Sequence, residues 1–138
     1  MATVIRPEVS IKNKYWINKH RHYELKHFCL QYPEWKRAYA ESDGFKNQVM
    51  VSGYSRSGYP SDPTGSCAEV RSKYLEQMDL VRRTAYEADP DLATYIFRAV
   101  TEGLSYTYLK SRLAIPCGKD MYYDRYRRFF WLLNKSRG

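Results

Sequence analysis

The chain has 138 residues, with 23 Lys and Arg against 15 Asp and Glu and a formal charge of +8. That length is enough for one domain to bury roughly two thirds of its extended surface, so neither disulfides nor a structural metal is required for a core. No run of about 20 apolar residues exists, which excludes a bilayer-spanning helix. Residues 1–10 lack the regions of a secretory leader, and Cys29, Cys67 and Cys117 form no CxxC pair; a reduced, cytoplasmic protein is expected.

The charge is unevenly placed. Residues 1–41 hold eight basic and four acidic side chains, 42–103 hold seven and nine, and 104–138 hold eight and two. An excess confined to the last quarter of the chain suits a polyanionic partner, because each phosphate contact releases condensed counterions.

In chain order, residues 14–31 are predicted helical, with Tyr15, Ile17, Tyr23, Phe28 and Leu30 and no Gly or Pro. Pro33 should end that helix and open a short one over Glu34–Ala40, since proline has no N–H for a helix interior. Between 43 and 66 crowd Gly44, Gly53, Gly58, Pro60, Pro63 and Gly65, a composition that predicts a loop with at most a short strand at Gln48–Val51. Ser66–Ala88 is predicted helical, with Val70, Tyr74, Met78, Val81 and Ala85 on one face. Asp89 and Pro90 are expected to cap and open the next helix, which carries Leu92, Tyr95, Ile96, Ala99 and Val100 and should end at Gly103 in a left-handed conformation.

After Gly103, Ser105 is placed to cap a short helix, Tyr106–Leu113, whose Leu109 and Leu113 share an inner face. Ala114–Gly118 then makes a tight connection, because Pro116 pushes Ile115 out of the helical region. The last helix is predicted from Lys119 to about Asn134, with Tyr122, Tyr126, Phe129 and Leu133 as its buried stripe. A short helix, a tight turn and a longer basic helix follow the order of a helix-turn-helix, in which the second helix presents its first turns to the major groove. The candidate DNA-binding residues are therefore Lys119, Asp120, Tyr123, Asp124, Arg125, Arg127 and Arg128, with Ser105, Tyr106 and Thr107 as phosphate-binding hydroxyls at a helix N-terminus. Arg127 and Arg128 are expected on the face opposite the buried stripe, and Asp124 to pair with Arg128 four residues on.

Other chemistries fit less well. His20, His22, His27 and Cys29 are the densest metal-ligating group, but His20 and His27 on one helix would lie about 10.5 Å apart along the axis, too far for one zinc; solvated histidines on a basic helix are expected instead. Asp120 and Asp124, one turn apart, are better explained by the positive helix N-terminus and a basic neighbour than by catalysis. The run Gly53–Gly58 lacks the Gly-Lys-Ser/Thr ending of a phosphate loop. No enzymatic activity, metal or cofactor is expected. Tyrosines beside Lys and Arg also raise stacking on unpaired bases, but Tyr122 and Tyr126 are predicted to pack inward.

Two stretches resemble a known group. Tyr23-Glu24-Leu25-Lys26 with Phe28–Trp35, and Glu102–Tyr106 with Arg112–Asp120 and Tyr122–Arg125, look like small prophage proteins of Gram-positive bacteria. Over 91–134 that group resembles the RinA/ArpU-type phage regulators, whose C-terminal part is similar to the promoter-reading region of sigma factors. The resemblance implies transcriptional control of late, packaging or lysis genes, and no cofactor.

The expectation is a mainly α protein, a helical bundle ending in a C-terminal helix-turn-helix. It comprises an N-terminal helical region (1–42), a Gly/Ser/Pro-rich loop (43–66) and a helical region (67–138) with the DNA-reading unit at 91–134. The expected partners are double-stranded DNA, host RNA polymerase and a second copy in a homodimer, with no membrane. The alternatives are a phage-encoded inhibitor of a host or defence enzyme and a small packaging adaptor that binds viral DNA.

Overall fold

The computed structural model describes residues 13–52 and 63–137, with side chains described for 13–42 and 68–137. The protein is mainly α, and the described residues hold six helices and no strand: α1 (Lys19–Leu30), α2 (Tyr32–Ser52), α3 (Pro63–Ala88), α4 (Ala93–Glu102), α5 (Tyr106–Leu113) and α6 (Lys119–Arg137). None of these helices is long and apolar enough to cross a membrane.

Asparagine sets the start of α1. Asn13 accepts from the Tyr15 N–H at 2.8 Å, closing a turn, and Asn18 caps the helix by accepting from the His20 N–H at 2.9 Å. The helix therefore begins five residues later than position 14, where apolar content alone starts it. Pro33 falls in the first turn of α2, where its missing donor costs nothing, and the ladder breaks at Gln31.

Residues 43–52, expected as loop with a strand at Gln48–Val51, instead continue α2 to Ser52, and α3 already begins at Pro63. A lone interior glycine such as Gly44 costs a helix only about 1 kcal/mol, and Phe45–Ser52 contains no further breaker. The part of the expected loop at 53–62 lies outside the described residues.

The chain divides into two compact units, one of Tyr32–Asp79 and one of Met1–Gln31 with Leu80–Gly138. In the first, Tyr32 and Trp35 are buried with ring centroids 6.1 Å apart, and the Arg71 guanidinium lies 4.1 Å over the Tyr39 ring. In the second, α6 packs on α1 and α4, and α4 also packs on α1 and α5. Leu25, Ile96, Leu109, Ile115, Phe129 and Leu133 form the centre of that core, each essentially without solvent contact. The α3 stripe holds only in part: Met78, Val81 and Ala85 are buried, whereas Val70 is exposed.

Asp89 shapes the entry to α4. Its carboxylate accepts from the N–H groups of Asp91 at 2.9 Å and Leu92 at 3.3 Å, closing a turn over Pro90–Leu92; the helix therefore starts at Ala93 with Leu92 as its cap, and Asp89 and Pro90 do not cap and open it as the sequence predicts. At the other end Gly103 is left-handed, φ 74°, and its N–H and that of Leu104 both donate to the Ala99 carbonyl. These bonds satisfy a carbonyl that would otherwise face the helix end unpaired.

Candidate nucleic-acid interface

The segment from Gly103 to the start of α6 is built by local hydrogen bonds. Ser105 is extended and its hydroxyl accepts from the Tyr108 N–H at 3.1 Å, which fixes the start of α5 where the sequence puts it. Leu109 is fully buried under α5, and its carbonyl accepts from the Ile115 N–H at 3.1 Å. Between them Ala114 is left-handed, φ 53°, the one non-glycine residue with positive φ among the described residues. Ile115 then plugs into the core, and the Tyr106 hydroxyl donates to the Cys117 carbonyl at 2.7 Å, tying α5 to the connection. Gly118 offers its carbonyl to the Tyr122 N–H at 3.1 Å, and α6 begins at Lys119.

The eight basic residues of 104–138 fall into two sets. Arg125 bonds through Nε to Asp89 at 2.9 Å and through Nη1 to Asp124. The Asp89 hydrogen bond is the main reason its guanidinium holds its proton even more firmly than usual. Arg128 donates to the Tyr15 hydroxyl at 3.1 Å. Lys135 lies 4.0 Å over the Trp131 ring and Arg137 lies 3.8 Å over Phe28. These four cations are engaged by the fold.

Lys110, Arg112 and Lys119 are the contrasting set. All three are exposed, flank the Ala114–Gly118 connection, and form no ion pair among the described residues. Arg127, half-buried, forms none there either. Lys110 and Arg112 in the last turn of α5 complement its negative end, which explains them as helix stabilisers. Lys119 has no such explanation. As the first residue of α6 it adds positive charge to a positive helix end, a placement that costs on the order of 0.5 kcal/mol.

The remaining candidates divide similarly. Asp120 is exposed in the first turn of α6, where its charge suits the helix end. Asp124 pairs with its neighbour Arg125 and not, as spacing predicts, with Arg128, whose guanidinium is taken by Tyr15. Tyr123 is half-buried against Tyr106 and Tyr122, with ring centroids at 6.2 and 5.3 Å. Of the three expected phosphate-binding hydroxyls, Ser105 and Tyr106 already serve the cap and the connection, and Thr107 is exposed.

Two placements depart from what the sequence predicts. His22 is buried, edge-on to Phe130 at 4.8 Å between centroids, and so is not one of the solvated histidines expected on α1; His20 and His27 are exposed. Phe130 joins Phe129 in the core, and Tyr122, Tyr126 and Phe130 follow one another along α6 with ring centroids 5.8 and 5.0 Å apart, the first pair tilted and the second edge-on. Burial pushes the Tyr122 and Tyr126 hydroxyls and the Cys29 thiol well above their ordinary values. Burial, with Asp89 adding to it, also raises the Cys117 thiol, while Lys110 and Arg125 act to lower it, which puts Lys110 within electrostatic reach of the connection. No cluster of three or more His, Cys, Asp or Glu suited to a metal ion occurs among the described residues.

No protein-family model matches this chain, and neither a curated protein nor a solved structure matches it.

Proposed function

We propose that this protein binds double-stranded DNA through α5, the Ala114–Gly118 connection and the first turns of α6, acting as a phage-type transcriptional regulator. The supporting observation is Lys119: an exposed cation, without an acidic partner among the described residues, at a helix end where positive charge is unfavourable. A phosphate neighbour would reverse the sign of that cost. Lys110 and Arg112 across the connection would reach the same backbone, and these three side chains supply the sequence-independent attraction.

The α6 start would enter the major groove, with Asp120 accepting from a cytosine amino group and exposed Met121 against a thymine methyl. Arg127 would add a further cation. Arg125 and Arg128 act differently on this reading: they hold α6 to Asp89 and Tyr15, and so set its angle of approach. The other faces of the molecule would serve self-association or contact with host RNA polymerase in a bacterial cytoplasm.

Selection of bound duplexes from a random library tests the proposal. A reproducibly enriched motif is expected, and a palindromic one would indicate a homodimer. Recovery no different from a protein-free control contradicts it and leaves an interaction protein as the better reading.

A further inference from the structure

A cleft lies between α1, α4, α5 and α6, and none of Lys110, Arg112 and Lys119 lines it. Its volume is about 270 Å³, and its wall includes His22, Lys26, Tyr106, Tyr122, Tyr123 and Tyr126. The rings form a connected series, with Tyr122 5.5 Å from Tyr106, 5.3 Å from Tyr123 and 5.8 Å from Tyr126. Lys26 is the only Lys or Arg in the wall among the described residues, and no carboxylate lines it there. The cleft is therefore aromatic and electropositive.

Tyr122 supplies a second observation. The residue is only 1 % exposed, but its hydroxyl forms no hydrogen bond among the described residues and its oxygen is not sealed from solvent, unlike the Tyr106 hydroxyl, which is bonded to Cys117. A hydroxyl placed so can donate to a molecule in the cleft without first breaking a bond within the protein. A purely structural stripe would also be filled to core density, whereas here the rings border open space.

We propose that this cleft binds a small planar aromatic anion, its ring against the tyrosines, its carboxylate or phosphate on Lys26, and the Tyr122 hydroxyl donating a hydrogen bond to it. The space is below the roughly 300–1,000 Å³ of sites for drug-sized ligands, which fits a molecule of one or two rings. Aromatic carboxylates and nucleoside monophosphates share this chemistry. Binding here uses none of Lys110, Arg112 and Lys119, the three cations on which the DNA reading rests.

The test is calorimetric titration of the full chain with 4-hydroxybenzoate, indole-3-acetate and thymidine monophosphate. At least one is expected to bind saturably with one site per chain, and the preferred member tells a carboxylate ligand from a nucleotide. Lys26→Met keeps the apolar stem and should weaken that binding about tenfold. Leu104→Trp, which fills the cleft from its wall, should abolish it, while Lys119→Met should leave it unchanged. Circular dichroism confirms that the variants stay folded. The proposal is overturned if none of the three probes binds saturably below about 5 mM. Equal affinity in wild type and a folded Lys26→Met chain overturns it too.

Discussion

The connection between α5 and α6 and the middle of α6 carry the same kind of side chain to different ends. At the connection, Lys110, Arg112 and Lys119 stand exposed and without acidic partners among the described residues. A turn or more further along, Arg125 is held by Asp89 and Arg128 by Tyr15, on a helix whose other side is packed with Tyr122, Phe129, Phe130 and Leu133. Formal charge counts both regions alike. The first leaves all three of its cations without an acidic partner among the described residues, and the second, Arg127 apart, shows how a basic, aromatic helix can spend its charges on its own fold.

If the middle of α6 is structural, cutting into it should be the costliest change. Phe130→Ala removes a fully buried ring packed edge-on against His22, Tyr126 and Phe129, and is expected to destabilise by about 3–5 kcal/mol, measured by urea unfolding. A loss under about 1 kcal/mol would mean the aromatic stack is not the anchor of this helix.

Arg125→Ala comes next. It strips Asp89 of its ion pair but leaves that carboxylate its two backbone N–H donors, so the expected loss is about 1–2 kcal/mol. Lys119→Ala, at the other end of the comparison, should leave unfolding within about 0.5 kcal/mol of wild type or raise stability slightly, since it relieves the positive helix end. Equal costs for Arg125→Ala and Lys119→Ala would erase the distinction between held and free cations.

The connection itself carries strain of known sign. Ala114 at φ 53° keeps a Cβ where only glycine is at ease, so Ala114→Gly is expected to stabilise by on the order of 0.5–1 kcal/mol. Thermal melting measures it, and a lowered melting temperature would show that the left-handed turn is not the one adopted.

The sequence was most informative where structure is local. The Ser105 cap, both boundaries of α5, the Gly103 terminus and the start of α6 all follow from residues within a few positions of one another. The mainly α fold followed for the same reason. What could not be read depends on distance. Asp89 meets Arg125 across 36 positions and Tyr15 meets Arg128 across 113, so no window of sequence signals either pair. A single helical stripe implies a single neighbour and leaves Phe130 outside it, whereas α6 packs on both α1 and α4 and buries a wider arc. The basic character of α1 predicts a solvated His22 and says nothing of the aromatic partner α6 brings to it. The continuation of α2 through Gly44 shows the complementary error, in which turn-forming composition outweighed a run of compatible residues.

The DNA-binding reading is tested most directly by the salt dependence of duplex binding, followed by fluorescence anisotropy from about 50 to 200 mM salt. Wild type is compared with the Lys110→Ala, Arg112→Ala, Lys119→Ala triple variant. Loss of three phosphate contacts should lower the slope of log affinity against log salt by about 2–3 and weaken binding by about two orders of magnitude, in a chain that circular dichroism shows still folded at the assay temperature. A triple variant that binds duplex with the same slope and affinity as wild type would contradict the assignment of this edge to DNA.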